Sequence, residues 1–187
     1  DISNLNIAVL LKRENDIQGK ANPLFGLKDD TFKTFEDRPN LLTKREVRIQ
    51  ILADLELPEN GTIWDIGAGC GSIGLEALKL RPNLKLFCID KRIGSKELIS
   101  ENARRLGVTP KDILEEDINN LFNSKNINSL KKARRIIIGG CDKNTKLRII
   151  NEMSKYMNCG DIVSIPIIDI QTIKDLRETF KENNFEV

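Results

Sequence analysis

Residues 63–78 read IWDIGAGCGSIGLEAL: an apolar run that ends in an acid, three glycines at every second position, and then a helical pattern. Such a turn brings backbone N–H groups together at the N-terminus of a helix, which favours binding of a negatively charged group. Glycine also lets a ligand approach the main chain closely. The stretch therefore indicates a site for a nucleotide-type cofactor, without specifying which one.

Strand and helix patterns alternate through the chain that follows Gly61. The predicted strands are 62–66, 84–90, 112–116, 134–140 and 161–167, and the predicted helices are 72–80, 95–107, 117–123, 144–157 and 172–184. Strands that alternate with helices imply a parallel sheet covered on both faces. A ligand then lies beyond the carboxyl ends of the strands, where the glycine turn is placed. We therefore predict an α/β, doubly wound, Rossmann-like fold.

A further helix is predicted upstream, within LLTKREVRIQILADLEL (41–57). Thr43 and Glu46 have the spacing of a capping box, and Val47, Ile51 and Leu55 follow at helical spacing. Earlier still, LNIAVLL at 5–11 is strand-like. The charged segment after it, which contains Gly and Pro, is typical of a linker.

The composition limits the classes of function. With 187 residues, 40% hydrophobic and 31% charged, the chain is long enough for one well-buried domain. The net charge of +2 does not by itself favour nucleic acid as a partner, and no apolar run approaches the ~20 residues that span a membrane. Four widely separated cysteines and the absence of histidine predict a reduced, cytoplasmic protein without a metal site.

Two cofactors fit parts of the glycine stretch. Residues 69–74 match GxGxxG, and Asp90 lies at the distance expected of an acid that binds a dinucleotide ribose, which would allow NAD. However, the predicted strand ends at 66, so the turn begins with Gly67 and the frame becomes DxGxGxG from Asp65 to Gly71. That frame resembles motif I of the class I S-adenosylmethionine-dependent methyltransferases.

The resemblance implies that S-adenosylmethionine is the cofactor and that Asp90 binds the ribose hydroxyls, for which an ionised carboxylate is a suitable acceptor. Asp117 would lie near the adenine, although a helix N-cap explains that residue equally well. The cofactor-binding residues implied by the family pattern are Thr43, Asp65, Gly67, Ala68, Gly69, Cys70, Gly71, Asp90, Asp117 and Ile118.

The flanking segments are more specific. LKDDTF (27–32), LTKREVR (42–48), WDIGAGCGSIGLEAL (64–78) and IIIGG (136–140) closely resemble, in order and spacing, the C15-methylating, decarboxylating domain of precorrin-6Y C5,15-methyltransferases of cobalamin biosynthesis. By this resemblance, residues 23–187 form the methyltransferase domain and lack its final antiparallel strands. Residues 1–22 would be a linker and the remnant of an upstream C5-methyltransferase domain in a longer chain.

The resemblance also implies the substrate, a tetrapyrrole that carries acetate and propionate groups, and an assembly, a homotetramer. Cations should then face the substrate, and the candidates are Lys44, Arg45, Arg48 and Lys143. Asp142, beside Lys143, is a further candidate substrate-binding residue. A solvated helix face is the competing interpretation of the cations, and a helix cap is the competing interpretation of Asp142. The sequence identifies no catalytic residue.

Other functions share motif I. A methyltransferase acting on RNA, protein or another small molecule would have the same fold, because function depends on the site. One Trp and one Tyr provide no obvious aromatic platform for bases. A dehydrogenase would need a proton relay, and neither histidine nor a Tyr-x-x-x-Lys pair is present. A non-catalytic, cofactor-binding half of a fused enzyme is the third alternative.

Overall fold

A computed structural model describes residues 23–186 except 40, 125, 126, 128, 129, 168 and 169. At its centre are the strands β1 (Gly61–Ile66), β2 (Leu84–Ile89), β3 (Asp112–Leu114), β4 (Arg135–Ile138) and β5 (Ile162–Ser164). They form one sheet in the order β3-β2-β1-β4-β5, and every neighbouring pair is parallel. The strand-like run and the linker predicted within residues 1–22 lie outside the described part of the chain.

The α-helices are α1 (Arg45–Asp54), α2 (Ser72–Leu80), α3 (Ser95–Leu106), α4 (Ile118–Asn123), α5 (Lys143–Met153) and α6 (Ile170–Glu182). This order confirms the predicted alternation and the doubly wound α/β fold. Within the described ranges, none of these helices combines the length and the apolar character that crossing a membrane requires.

Each face of the sheet carries its own hydrophobic core. Alternate residues of a strand point to opposite faces, so Ile63 joins the core beneath α1, α2 and α3, whereas Trp64 and Ile66 join the core beneath α4, α5 and α6. Trp64 is fully buried, and its indole N–H donates to the backbone oxygen of Leu130 at 3.3 Å. The carboxyl end of the central strand is therefore rigidly placed.

Four of the five strands, β2 to β5, are shorter than their sequence patterns predict, and for β4 and β5 the structure shows the reason. The predicted strand over 161–167 ends at Ser164, two residues before Pro166, which has no N–H to donate to a ladder. The predicted strand over 134–140 ends at Ile138, opposite Ile66, the last residue of its partner strand β1. The amide of Gly139 still donates to the backbone oxygen of Ile66 at 2.7 Å. This bond pins the loop after β4 against the glycine turn.

The predicted start of the upstream helix is wrong in its details. Lys44 is the N-cap residue of α1 without a side-chain cap bond, so Thr43 and Glu46 do not form a capping box. Val47 is 43% exposed, while Ile51 and Leu55 are buried as expected. The helix start is held instead by Arg48, whose guanidinium donates to the backbone oxygen of Thr43 at 2.6 Å.

Candidate active site

The turn between β1 and α2 depends on its glycines. Gly67, Gly69 and Gly71 have φ values of +70°, +60° and +78°, in the left-handed region that other residues rarely adopt. A Cβ on Gly67 would lie 3.0 Å from the amide nitrogen of Gly140, so glycine is also needed there for close packing. Among the described residues, a Cβ on Gly69 would meet only the backbone oxygen of Leu41, at 3.9 Å. The middle of the turn is therefore open to an approaching ligand.

Asp90 follows β2 and faces this turn. Its carboxylate accepts from the amide of Gly69 at 2.7 Å and from the amide of Arg92 at 2.9 Å, and the residue is 5% exposed. The sheet thus brings together the glycine turn after β1 and the acid after β2, as the sequence predicts. The acid is fixed in position before any ligand arrives.

Asp65, the acid within β1, lies beneath the turn. It is 2% exposed, and its carboxylate accepts from the amide of Gly74 in the first turn of α2 at 3.0 Å. Burial, with a smaller contribution from the charge of Asp90, raises the pKa of Asp65 to about 7, although the Gly74 bond acts in the opposite direction. The geometry assigns Asp65 to the support of the turn, not to the wall of the cleft.

A cleft that is open to solvent lies beyond the carboxyl ends of β1, β2 and β4. Five of the predicted site residues line it: Gly67, Asp90, Asp117, Ile118 and Asp142. Other predicted residues are not among its lining residues, namely Thr43, Ala68, Gly69, Cys70 and Gly71 of the cofactor set and Lys44, Arg45, Arg48 and Lys143 of the substrate set.

Two acids in the cleft are helix N-caps. Asp117 accepts from the amide of Asn119 at 2.8 Å at the start of α4. Asp142 accepts from the amide and the hydroxyl of Thr145 at 3.0 and 2.7 Å at the start of α5. These bonds, the amide bond first, lower the pKa of Asp142. The capping interpretation is confirmed for both residues, and Asp142 is ionised and held in place, which does not suit a proton carrier.

The predicted cations differ sharply in their surroundings. Arg48 is fully buried, with bonds to the carboxylates of Glu76 and Asp29 at 3.2 and 2.7 Å and to two backbone oxygens. Its guanidinium has no exposed face for a substrate carboxylate, so we assign Arg48 a structural role, as a correction of the predicted substrate contact. Lys143 forms an ion pair with Asp175.

Lys44 and Arg45 are exposed at the start of α1. The Lys44 ammonium lies 4.0 Å from the carboxylate of Asp29, and the Arg45 guanidinium donates to the backbone oxygen of Gly26 at 2.7 Å. Both keep donors on the surface, and both are close in sequence to Leu41, whose oxygen faces Gly69.

Several further residues of the cleft were not predicted from the sequence. Lys91, Arg92, Glu116, Cys141 and Thr145 also line it. Lys91 and Arg92 directly follow the predicted ribose acid, so their sequence position could have indicated them. Burial raises the pKa of Cys141 to about 11, which keeps its thiol protonated and poorly nucleophilic at neutral pH. The cleft thus favours binding and alignment over covalent catalysis by this cysteine.

Comparison with known proteins identifies the family. The sequence model of the precorrin methyltransferase domain matches residues 33–179, which is most of the chain. The chain belongs to the precorrin methyltransferase domain family. The match includes the glycine turn, Asp90 and the loop after β4, so the cleft described above lies within the family domain.

Curated relatives of this precorrin methyltransferase domain carry specific names. A probable cobalt-precorrin-6B C(15)-methyltransferase (decarboxylating) from Saccharolobus solfataricus is 29% identical over 162 residues, which cover 86% of this chain and 78% of the relative. The cobalt-precorrin-6B C(15)-methyltransferase (decarboxylating) of Salmonella typhimurium is 35% identical over 88 residues, which cover 47% and 45% of the two chains.

Solved structures agree with the fold of this domain. Precorrin-6Y C5,15-methyltransferase from Geobacter metallireducens superposes with a TM-score of 0.74 at 26% identity, covering 88% of this chain and 82% of the other. A precorrin-8W decarboxylase from Methanobacterium thermoautotrophicum gives a TM-score of 0.72 at 20% identity, covering 86% and 82%. The latter likeness supports the Rossmann-like methyltransferase fold alone.

Proposed function

We propose that this domain uses S-adenosylmethionine to methylate C15 of a cobalt-precorrin or precorrin and that it removes the neighbouring acetate, at C12, as carbon dioxide in cobalamin biosynthesis. The observation that carries the proposal is the family match over 33–179, because it includes the whole cleft. The names of the curated relatives support both the position of methylation and the decarboxylation.

The described residues fit the proposed cofactor. The turn at Gly69 leaves space where any other residue would place a Cβ, and Asp90 offers fixed acceptor oxygens for ribose hydroxyls. Asp117 and Ile118 line the cleft at the end of β3, where the adenine would lie. Within the described part of the chain, no group of three or more potential ligands could hold a metal ion.

The remaining predicted cofactor contacts form two groups in this proposal. Ala68, Gly69, Cys70 and Gly71 supply the turn backbone that would face the methionine part, and Thr43, which precedes α1, would contact the cofactor as the family pattern implies. Asp65 would support the cofactor site without contacting the cofactor, because its bond to the amide of Gly74 holds α2 against the turn.

When bound, S-adenosylmethionine supplies a methyl group already activated for displacement, so the protein needs to align the acceptor carbon and exclude competing nucleophiles. The acceptor carbon of the tetrapyrrole forms the new bond as the carbon–sulfur bond breaks. Loss of carbon dioxide releases an electron pair, which the ring nitrogens of the macrocycle can take up. The macrocycle is thus its own electron sink, and the proposed reaction requires no histidine.

Substrate carboxylates need cations at the mouth of the cleft. Lys44 and Arg45 are exposed at the start of α1, and Lys91 is 67% exposed while it lies 3.6 Å from Asp117. Lys143 and Asp142 lie at the start of α5, on the other side. We propose that the four cations Lys44, Arg45, Lys91 and Lys143 surround the peripheral acetate and propionate groups, with arginine able to grip a carboxylate through two bonds. The ionised Asp142 would instead accept a hydrogen bond from a donor of the substrate.

We further propose a cytoplasmic location and a homotetrameric assembly for the methyltransferase domain, and an upstream C5-methyltransferase domain preceding residue 23 in a longer chain. All four cysteines are free, in keeping with a reducing compartment. Light scattering of the purified chain measures the assembly directly.

The direct test is incubation of the chain with cobalt-precorrin-6B and S-adenosylmethionine labelled in the methyl group. We expect the label in the tetrapyrrole together with release of carbon dioxide, and loss of both in Asp90→Ala. Total RNA serves as the competing acceptor. Transfer of the label to RNA, or none to the tetrapyrrole by a chain that binds the cofactor, would contradict the proposed substrate.

A further inference from the structure

Arg92 is a cleft residue with an unused donor. It lines the cleft two residues after Asp90, and its side chain is 28% exposed. Its NH1 atom is buried and has no hydrogen-bond partner among the described residues. It forms a long ion pair with Oδ2 of Asp90, at 4.0 Å, which is beyond hydrogen-bond distance.

The position of this guanidinium is set by the fold. It lies over the ring of Phe35, 5.6 Å from the ring centroid. The segment that carries Phe35 is held by Asn102 of α3, whose amide accepts from the Lys33 N–H at 2.8 Å and donates to the Lys33 oxygen at 2.9 Å. The same amide donates to the oxygen of Cys70 in the glycine turn at 2.9 Å. Arg92 is therefore fixed relative to the cofactor turn.

A buried donor on a charged group is costly when it has no acceptor. Asp90 contributes only acceptors, whereas each ribose hydroxyl can donate one bond and accept others. A donor beside Asp90 would therefore bond to a ribose oxygen, while Asp90 accepts from the ribose hydroxyls.

We propose that Arg92 binds the adenosine half of the cofactor, with its NH1 atom donating to a ribose oxygen while Asp90 accepts from the hydroxyls. This inference rests on the proposed function, because it takes S-adenosylmethionine as the ligand. It adds a cofactor-binding residue that contacts the ribose and not the methionine carboxylate, which is the anion that an arginine could otherwise bind.

Two ligands distinguish binding of Arg92 to the ribose from binding of Arg92 to the methionine carboxylate. S-adenosylhomocysteine contains both the adenosine and the amino-acid carboxylate, whereas 5'-methylthioadenosine retains the adenosine and lacks the carboxylate. We would titrate both by calorimetry into the wild-type chain, Arg92→Met, which retains the apolar stem, and Arg92→Lys, which retains the charge. Arg105→Ala, which removes an exposed arginine at the end of α3, is the matched control.

Arg92→Met is expected to lose about 10-fold or more in affinity, by the same factor for both ligands, as loss of a charged hydrogen bond implies. Arg92→Lys should lie between Arg92→Met and the wild type, and Arg105→Ala should match the wild type. An unchanged affinity in a folded Arg92→Met, or a loss confined to S-adenosylhomocysteine, would overturn the inference. Failure of the wild type to bind either ligand would instead overturn the proposed function.

Discussion

Arg48 and Glu76 form a buried ion pair that we expect to be essential for stability. Both side chains are fully buried, and Nε of Arg48 lies 3.2 Å from Oε2 of Glu76. The other oxygen of Glu76 accepts from the amides of Gly26 and Leu27 at 2.6 and 3.0 Å. The pair therefore joins α1, α2 and the segment before them into one unit.

Arg48→Met leaves the carboxylate of Glu76 buried without its cation. Breaking a buried pair in this way costs about 3–5 kcal/mol, whereas an exposed charge contributes about 0–1 kcal/mol. We therefore expect Arg48→Met to lower the free energy of unfolding by about 3–5 kcal/mol. The double variant Arg48→Met/Glu76→Gln removes the stranded charge and should recover part of that loss.

Urea unfolding at pH 7, followed by circular dichroism, measures these differences. Arg38→Ala is the control, because Arg38 is 64% exposed and lies 3.8 Å from the exposed Asp37. It should change the free energy of unfolding by less than about 0.5 kcal/mol. A loss below about 1 kcal/mol in Arg48→Met, or a double variant less stable than the single one, would refute the reasoning.

Three further predictions concern the turn and the acids. Gly69→Ala should weaken S-adenosylhomocysteine binding about 10-fold or more in calorimetry, while Gly107→Ala, at a similar φ of +68°, should cost comparable stability without affecting binding. Because the pKa of Asp65 is raised to about 7 in the folded state, the wild type should lose stability as the pH rises from about 4 to 7. In urea unfolding, Asp65→Asn should therefore be more stable than the wild type at pH 8, by up to about 4 kcal/mol. The two should be equally stable at about pH 4. Asp142→Ala should lower the free energy of unfolding by about 1 kcal/mol at pH 7, and this difference should fade below about pH 4, because the lowered pKa of Asp142 places its stabilisation above that pH.

The sequence predicted the fold well because its periodic signals are local. Strand and helix alternation, and the glycines of the turn after β1, depend on near neighbours in the chain. The boundaries were less accurate where distant residues decide them. The β4 strand ends earlier than predicted, at Ile138, because its partner strand β1 ends opposite it at Ile66.

The candidate site was predictable at residues that both match the family pattern and end or directly follow a predicted strand, such as Gly67 and Asp90. It was not predictable for Arg48, because a charge run on a helix gives no sign that Glu76, 28 residues later, buries one of its arginines. Nor could sequence spacing reveal that Arg92 has a donor without an acceptor, since its surroundings include Phe35, which is far from it in the sequence.

The central claim is that the cleft binds S-adenosylmethionine through Asp90. Calorimetric titration of the chain with S-adenosylhomocysteine, with NAD as the competing ligand and Asp90→Ala as the partner protein, tests it most directly. We predict binding of S-adenosylhomocysteine, no binding of NAD, and a loss of at least about 10-fold in Asp90→Ala, because its carboxylate would accept ribose hydroxyls. Absence of binding in the folded wild type, or equal binding of NAD, would contradict the account.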